Sequence, residues 1–424
     1  MKILHVNTND VEGGAARAAY RIHKGLIQNE VASMLIVQNK KTDDYTVKSL
    51  AQNKFVKLRD KVVPKIDNGI KSFYQNKLDL PWSVNFFDNK KIVDFINRSD
   101  ADIVHFHWVN NAFISIDDIA SLNKPIVWTL HDTWAFTGGC HYFGNCLRYK
   151  KGCGLCNQLK SSQKFDLSKI LFIKKKKSYL KSNITVVTPS KWMGNCASES
   201  LLLADKKIKV IPNGIDLNLY KMIRKETFRE IFGLKNNDIV IMFGAMQSTS
   251  DPRKGYFYLK EALVKLKEKI GLEANYRIKI LVFGADKPEY ELFPDYQTIY
   301  TGHIYDDISL TLLYNCADVF VAPSKEDNLP NTVVEALACG TPCVAFQIGG
   351  MPDMITHKLN GYLAKPFDTD DLAQGIAFVI EDQERRNLLS IEARKKAEEE
   401  YDINVIIKKY LDLYREILKS RINN

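Results

Sequence analysis

The chain has 424 residues, of which 45% are hydrophobic and 26% are charged, a composition typical of a globular protein whose length suits two domains. No apolar run approaches the ~18 residues of a membrane-spanning helix, and the start lacks a signal-peptide pattern. We therefore expect a cytoplasmic protein with reduced or metal-bound cysteines. The net charge of +10 is uneven: residues 1–212 carry 33 Lys and Arg against 18 Asp and Glu, and the remainder carries 27 against 32. This basic first half suits nucleic acid, an anionic membrane or a phosphorylated acceptor, unless it reflects lysine-rich composition alone.

A short apolar strand is predicted at residues 2–7, followed by a loop of small residues that includes Gly13 and Gly14 and leads into a helix over 18–25. Small residues let the backbone approach a ligand closely, and a helix N-terminus favours an anion. The pattern is not GxGxxG, so it lacks the dinucleotide fingerprint. A ligand loop and a plain tight turn both remain open.

Further strands are predicted at residues 31–37, 103–107, 126–130, 184–188 and 208–211. The strand at 126–130 ends at His131, so this side chain is expected at the carboxyl end of a parallel strand, where ligands bind. The alternative is a histidine of the core.

Four cysteines follow within seventeen residues: Cys140, Cys146, Cys153 and Cys156. They close with a CxxC pattern and offer enough thiolates for a tetrahedral structural zinc, although the first spacing is wider than usual. His141 is a candidate replacement for one ligand. Loosely placed reduced cysteines and redox pairing are the alternatives.

Residues 170–173 form an apolar run, and four lysines follow at 174–177. A basic amphipathic segment of this kind can lie on an anionic membrane, and a solvated helix face is the alternative.

The turn at 212–216 has hinge chemistry, and a second domain is predicted to begin with a strand at 239–243. After the loop 245–252, Arg253 and Lys254 precede a helix. Adjacent cations at such a place can clamp a diphosphate, although an ordinary surface pair would look the same. Strands are predicted at 279–284 and 298–304, and helices at 370–380, 384–399 and 403–422.

Residues 317–346 carry the clearest signal: a strand at 318–322, a polar loop, a helix from Thr332 that Gly340 ends, and a strand at 342–346. This βαβ unit places the loop at the carboxyl end of a parallel sheet, next to helix N–H groups that favour a phosphate. Asp327 and Glu335 are eight positions apart, so both carboxylates can face one ligand. The alternative is an ordinary turn with solvated acids.

This stretch, together with residues 131–156, 212–216 and 253–255, resembles the retaining glycosyltransferases of family four, which have the GT-B fold. Residues 131–156 resemble the subset of the family that has a cysteine-rich HDxWxxTG segment. The resemblance implies that Asp327 lies against the donor sugar and Glu335 binds the ribose. The chain departs from the family pattern at four positions. Asp327 stands where the family usually has Glu, Asn328 where Gly is frequent, and Ala245 where Arg is common. Pro330 has no N–H to donate to a phosphate. The site residues that the resemblance implies are Asp327 and His131 for catalysis, and Arg253, Lys254, Glu335, Ser324, Asn328, Leu329, Thr332, Gly13 and Gly14 for the donor.

The implied architecture is two Rossmann-like domains that face a cleft. Residues 1–212 would hold the acceptor, with the terminal helix 401–424 packing back on them, and residues 213–400 would hold the nucleotide sugar. The implied reaction moves a sugar from a UDP- or GDP-sugar to an acceptor hydroxyl with retention, in bacterial surface glycan synthesis. The two cations make a catalytic divalent metal unnecessary. A glycan or a lipid-linked oligosaccharide is the expected acceptor, at the inner face of the plasma membrane.

Two alternatives remain. One is another GT-B enzyme, such as a nucleotide-sugar epimerase or a phosphorylase. The other is a zinc-bearing nucleic-acid binder, which would not explain Asp327, Glu335 or the Arg253-Lys254 pair, so we expect no nucleic-acid partner. The donor sugar, its base and the acceptor are left open by the sequence.

Overall fold

The computed structural model describes residues 1–50, 54–244, 251–270, 277–289, 291–304 and 306–422. The chain divides into two compact units, here called the first unit (Met1–Pro212 with Ile406–Asn424) and the second unit (Asn213–Val405). Within the described ranges, none of the helices combines the length and the apolar character needed to cross a membrane.

The first unit is built on a seven-stranded sheet in which all pairings are parallel. The strand order is β3-β2-β1-β4-β5-β6-β7, so the order reverses between β1 and β4. The strands are β1 (Lys2–Asn9), β2 (Ala32–Asn39), β3 (Val47–Ser49), β4 (Ile103–Phe106), β5 (Ile126–Thr129), β6 (Ile184–Thr188) and β7 (Lys207–Val210).

The helices of the first unit connect these strands. They are α1 (Gly14–Gln28), α2 (Lys54–Gly69), α3 (Lys90–Arg98), α4 (Ile116–Ala120), α5 (Leu167–Leu180) and α6 (Lys191–Ser198). Short 3₁₀ turns lie at Ile70–Phe73, Trp134–Phe136 and Arg148–Lys150. β4, β5 and β6 are buried along their whole length, as expected for parallel strands covered by helices on both faces.

The second unit repeats this plan with a six-stranded parallel sheet in the order β10-β9-β8-β11-β12-β13. The order reverses between β8 and β11. The strands are β8 (Ile239–Gly244), β9 (Ile278–Phe283), β10 (Gln297–Tyr300), β11 (Val319–Ala322), β12 (Cys343–Phe346) and β13 (Gly361–Ala364).

Its helices are α7 (Glu226–Arg229), α8 (Tyr256–Ile270), α9 (Asp307–Cys316), α10 (Asn331–Ala338), α11 (Met351–Met354), α12 (Thr369–Ile380) and α13 (Gln383–Lys396). 3₁₀ turns lie at Glu230–Phe232 and Pro252–Lys254, and a π-helical turn at Ala397–Tyr401 precedes α14 (Ile403–Ile422). The two sheets confirm the predicted α/β class with two doubly wound domains.

The helix α1 begins four residues before the predicted start. Gly13, at φ 97°, ends the preceding loop in a conformation that favours glycine, and Gly14 is already helical. The predicted loop at Gly13 and Gly14 is therefore short, and Gly14 belongs to the first turn of the helix.

Candidate active site

The loops that follow β8 and β11 lie at the point where the strand order of the second sheet reverses, which is where open α/β sheets bind ligands. These two loops touch directly. The Lys325 N–H donates to the Arg253 carbonyl at 2.8 Å. A Cβ on Gly255, which has φ 75°, would lie 1.8 Å from the Pro323 carbonyl oxygen. Only glycine therefore allows this approach. The predicted loop residue Ala245 lies outside the described residues.

The contact brings together two side chains that the sequence predicted separately. Lys254 Nζ lies 2.8 Å from Asp327 Oδ2, and the side chains are 23% and 14% exposed. The second carboxylate oxygen, Oδ1, accepts from the Asn328 N–H at 3.1 Å, and Ser324 Oγ is 3.5 Å from Oδ2. The pair places a cation and a carboxylate side by side at a partly open position.

Arg253 turns to a different acid. Its Nε and Nη2 atoms donate to Asp251 at 3.1 and 2.5 Å, and its backbone N–H donates to Asp251 Oδ1 at 3.0 Å. Asp251 thereby both caps the 3₁₀ turn and holds the guanidinium. The predicted cation pair is thus present, with each cation balanced by its own carboxylate.

The loop after β12 supports the main chain at Asp327. The Gly350 N–H donates to the Asp327 carbonyl at 3.1 Å. Gly349 has φ 52°, and a Cβ there would lie 2.1 Å from the same oxygen. These glycines fix the position of the acid.

The helix α10 starts at Asn331, one residue before the predicted start, and no side chain caps its N-terminus at Pro330. Ser324, Asn328 and Leu329 are buried in the loop before it, and Thr332 in the first turn is half-buried. The uncapped first turn offers the partial positive charge that suits an anion.

Glu335 lies in α10 and contacts a side chain of α9. It is 2% exposed, and its Oε2 accepts a hydrogen bond from the Tyr314 hydroxyl at 3.0 Å. Burial, and then the neighbouring Glu335, raise the pKa of Tyr314 well above its ordinary value, so this phenol stays a donor. Sequence reasoning missed Tyr314, because nothing in the pattern of α9 connects it to an acid 21 positions later.

A second buried acid, Asp318, lies just before β11 and serves the fold. It contacts Lys225 at 2.7 Å and Arg229 at 2.6 Å, and it accepts from the Val240 N–H at 2.8 Å. Burial opposes its ionisation, but the two cations hold its pKa below the ordinary value.

His131 in the first unit lies after β5, as predicted, and is half-buried. Its Nε2 lies 3.1 Å from His107 Nδ1, and His107 Nε2 lies 3.0 Å from His5 Nδ1. Burial lowers the pKa of His131 to about 4, against a smaller raising effect of Asp132. Burial also lowers the pKa of His5 and His107 well below the ordinary value, so the three rings are neutral. Sequence reasoning missed this imidazole chain.

The neighbouring Asp132 organises the start of the cysteine-rich loop. Its Oδ2 lies 2.6 Å from His141 Nδ1 and accepts from Trp108 Nε1 at 2.9 Å. The other ring nitrogen of His141 lies 2.8 Å from Ser83 Oγ. Both nitrogens of His141 therefore have protein side chains as partners.

The four cysteines share one region of the first unit. All four are half-buried free thiols. Burial raises the pKa of Cys140, Cys153 and Cys156, in the case of Cys153 to about 12. Neighbouring cysteines add smaller raising effects, and Asp166 adds one for Cys156. In the part of the chain that the structure describes, one group of three possible metal ligands has its ligand atoms within 4.8 Å of one another. That group is His5, His105 and His107, and it includes none of these cysteines. The thiols are neighbours, but they are not gathered at the spacing of a filled metal site.

The four lysines at 174–177 do not form one exposed face, which corrects the prediction of a shared lipid-facing surface. Lys175 is fully buried and donates to the carbonyls of Trp134 and Thr137. Lys174 pairs with Asp117 at 2.8 Å, whereas Lys176 and Lys177 are exposed. Helical periodicity explains the difference, since Leu171 and Ser178 lie on the same buried face as Lys175.

Comparisons with known families match both halves of the chain. A family model described as "Glycosyltransferase Family 4" matches residues 12–219, and one described as "Glycosyl transferases group 1" matches residues 224–396.

Similar individual proteins were found by sequence and by structure. An uncharacterized glycosyltransferase of Methanocaldococcus jannaschii is 28% identical over 54% of this chain and 59% of its own. The N,N'-diacetylbacillosaminyl-diphospho-undecaprenol alpha-1,3-N-acetylgalactosaminyltransferase of Campylobacter jejuni is 31% identical over 52% and 57%. The chain thus spans little more than half the length of these relatives. The crystal structure of Anabaena HepE in complex with UDP-glucose has a TM-score of 0.64 at 17% identity, covering 99% of this chain and 100% of that chain.

The structural similarity confirms the predicted GT-B fold. The family matches do not favour an epimerase, a phosphorylase or a nucleic-acid binder. Each half of the chain is therefore similar to a glycosyltransferase family, and the two parallel sheets have the arrangement of the GT-B fold.

Proposed function

We propose that the protein transfers a sugar from a nucleotide-diphosphate sugar to an acceptor hydroxyl, with retention at the anomeric carbon. The observation that carries this proposal is the Lys254–Asp327 pair, 2.8 Å apart, at the switch point of the second sheet. A cation there can exchange its carboxylate partner for the leaving diphosphate. The Asp327 carboxylate would then lie next to the sugar, which is attached to the terminal phosphate of the donor.

The leaving diphosphate gains negative charge as the glycosidic bond breaks. Lys254, Arg253 and the uncapped first turn of α10 are the proposed stabilising groups. Because these groups supply fixed positive charge, the proposed mechanism requires no catalytic divalent metal. Ser324, Asn328, Leu329 and Thr332 form the proposed lining of the donor pocket beside them, and Gly13 and Gly14 are proposed to approach the donor through their backbone.

Glu335 is the proposed partner of the ribose hydroxyls. The Tyr314 hydroxyl donates to Oε2 and orients the carboxylate, and an ionised carboxylate can accept several hydrogen bonds from hydroxyls. Asp327 is the proposed contact of the donor sugar. His131 is proposed as a sugar-facing group of the first unit, and the leaving phosphate is the proposed acceptor of the proton from the attacking hydroxyl.

The nature of the substrates is proposed from the relatives. The Campylobacter enzyme is named for a diphospho-undecaprenol acceptor, and Anabaena HepE was crystallised with UDP-glucose. By analogy we propose a UDP- or GDP-sugar donor and a glycan or lipid-linked acceptor used in surface glycan synthesis at the inner membrane face.

A structural zinc at Cys140, Cys146, Cys153 and Cys156 remains a proposal, as does membership of the cysteine-rich subset of the family. Neighbouring cysteines contribute to the raised pKa of Cys140, Cys153 and Cys156, which supports the proximity of the thiols. Zinc would be bound by the deprotonated thiolates, in a purely structural role.

A donor hydrolysis screen across UDP-, GDP- and ADP-sugars tests the proposal directly. We expect one nucleotide class to be hydrolysed, and the configuration of the first released sugar, read by proton NMR, to match that of the donor. Lys254→Ala should abolish the hydrolysis, whereas Lys260→Ala, at an exposed position of the following helix, should not. A protein that is stabilised by oligonucleotides and by no nucleotide diphosphate in a thermal shift assay would contradict the proposal.

A further inference from the structure

A cavity of about 860 Å³ lies within the first unit, between the cysteine-rich loop and the start of α5. The lining that the structure describes includes five cationic side chains and no carboxylate. Lys150 pairs with Glu199, and Lys169 donates to the Gly152 carbonyl at 2.9 Å. The other three cations, Arg148, Lys151 and Lys164, are exposed and have no ion-pair partner among the described residues.

The walls of this cavity are held together by the chain itself. The Gly154 N–H donates to Ser168 Oγ at 3.0 Å, and the Leu155 N–H donates to the Gln163 carbonyl at 2.9 Å. A Cβ on Gly154, which has φ 98°, would lie 2.3 Å from the Lys164 carbonyl oxygen. The loop is therefore tied closely to the segment before α5, and the cavity is a built feature of the first unit.

Apolar side chains border the same cations. Leu147 and Phe165 line the cavity and are 57% and 64% exposed, so apolar surface lies beside the cations. A ligand that satisfies both features carries phosphate charge at one end and a hydrocarbon chain at the other.

We propose that this cavity binds the diphosphate and the first isoprene units of a polyprenyl-diphosphate-linked acceptor. The inference rests on the proposed function, since a glycosyltransferase with such an acceptor must recognise the part of the lipid that does not react. Arg148, Lys151 and Lys164 neutralise the diphosphate, while Leu147 and Phe165 cover the chain next to it. The same cations would leave an uncharged prenol unbound.

Farnesyl diphosphate is a suitable soluble probe, measured by calorimetry with the intact protein, next to farnesol and inorganic diphosphate. We expect farnesyl diphosphate to bind more tightly than farnesol and more tightly than inorganic diphosphate. Replacing all three cations (Arg148→Gln, Lys151→Gln, Lys164→Gln) should weaken binding by roughly 100-fold, since each cation near an anion contributes roughly fivefold. Lys176→Gln with Lys177→Gln is the matched control, because these exposed lysines lie outside the cavity. Its affinity should be unchanged.

Equal affinities of the triple variant and the wild type, or an equal loss in the control, would overturn the proposal.

Amine-reactive labelling of the wild type gives a second measurement that needs no variant: farnesyl diphosphate should protect Lys151 and Lys164 but not Lys176. A third arm uses vesicles of phosphatidylglycerol and phosphatidylcholine. Vesicle binding that depends on the three cations and resists farnesyl diphosphate would identify a membrane-binding surface in place of this site. The triple variant should still hydrolyse the nucleotide sugar. If the wild type hydrolyses none and still binds farnesyl diphosphate here, the proposed function fails and the site stands.

An independent inference concerns the imidazole chain His5–His107–His131. Among the residues that the structure describes, none offers a hydrogen-bond partner to the buried Nε2 atom of His5. Orphaned buried N–H groups are rarer than under-satisfied acceptors, so this nitrogen carries no proton. His5 therefore holds its proton on Nδ1 and donates it to His107 Nε2, 3.0 Å away.

The tautomer of His5 determines those of His107 and His131. His107 accepts on Nε2, so its proton is on Nδ1, which donates to His131 Nε2 at 3.1 Å. We infer that His131 is fixed in the Nδ1–H tautomer and presents a hydrogen-bond donor to its ligand. In this arrangement one proton lies between His5 Nδ1 and His107 Nε2. His105 uses its two nitrogens for Tyr414 at 2.7 Å and Thr129 at 2.8 Å.

Long-range ¹⁵N–¹H NMR of histidine-labelled protein reads the tautomer without an activity assay. We expect the Nδ1–H pattern for His131 in the wild type, and a change of that pattern in His5→Phe, which does not touch His131. His23→Gln is the control, because its ring lies 5.9 Å from His5 but bonds to Ser33 and Thr46 instead. An Nε2–H pattern for His131 in the wild type would refute the inference.

Discussion

Lys175 offers the sharpest test of the electrostatics of the first unit. This lysine is fully buried, and burial lowers its pKa from the ordinary 10.5 to about 7, against a smaller raising effect of Cys140, Cys153 and Asp132. In the unfolded chain the same amine keeps its proton up to about pH 10. Between these two pKa values the unfolded state binds more protons, so stability should rise with pH.

The size of the effect follows from the two pKa values. From pH 7 to pH 9 the wild type should gain about 2 kcal/mol of unfolding free energy relative to Lys175→Met, which has no titrating group at this position. The amine donates to the carbonyls of Trp134 and Thr137, and its nitrogen lies 3.5 Å from the centre of the Trp134 ring. A neutral amine still has two N–H donors for these two carbonyls, so deprotonation relieves the buried charge without orphaning either oxygen.

Urea unfolding followed by tryptophan fluorescence isolates the relevant unit. All five tryptophans lie in residues 1–212, so their signal reports the first unit alone. Lys176→Met is the control, since this neighbour is exposed. Parallel pH curves for the wild type and Lys175→Met would show that the buried amine keeps an ordinary pKa, and the reasoning about Lys175 would be refuted.

Four further outcomes are expected. Glu335→Ala should weaken nucleotide diphosphate binding by roughly 1.5–3 kcal/mol in calorimetry, and unchanged affinity would remove Glu335 from the site. Asp327→Asn should keep that affinity nearly intact but lower turnover in the hydrolysis assay; unaffected turnover would assign the role to another acid. Elemental analysis should find close to one zinc per chain, and Cys153→Ser should lower both the zinc content and the melting temperature; a stable, zinc-free wild type contradicts this. Asp318→Asn should cost roughly 3–5 kcal/mol in the far-ultraviolet circular dichroism transition of the second unit, because Arg229 is left buried without its carboxylate; a loss below about 1 kcal/mol would show that the cations find other partners.

The fold was predictable because parallel strands covered on both faces appear in the sequence as short continuous apolar runs. The strand at 184–188 and the helix at 403–422 have the predicted bounds. Asp327 was predicted from its place in the loop after a strand, and Lys254 from the pair of cations that precedes a helix. Their contact was not predicted, because they are 73 positions apart in the sequence and their loops meet through the pairing of β8 with β11.

The rest of the site depends on register, which single-sequence patterns do not contain. His5 and His105 are paired across β1 and β4, and His107 follows two positions later, so three ordinary-looking histidines become neighbours only in the sheet. The burial of Lys175, in contrast, could have been predicted from the sequence. It is four positions after Leu171 and four before Tyr179, a spacing that predicts a buried helix face.

The hydroxyls that complete the β4–β5 region of the first unit come from the far end of the chain. Tyr414 bonds to His105 at 2.7 Å, and Tyr410 bonds to Thr129 at 3.0 Å, both from α14. During translation, at about 5–20 residues per second, the sheet of the first unit leaves the ribosome roughly ten to forty seconds before these tyrosines are made. Through that interval His105 and Thr129 have each other as partners but lack the tyrosine hydroxyls, and the second unit is synthesised in the meantime. The nascent first unit therefore waits for the last helix, and a chain released before Tyr410 would expose an incompletely satisfied sheet to chaperones and proteases.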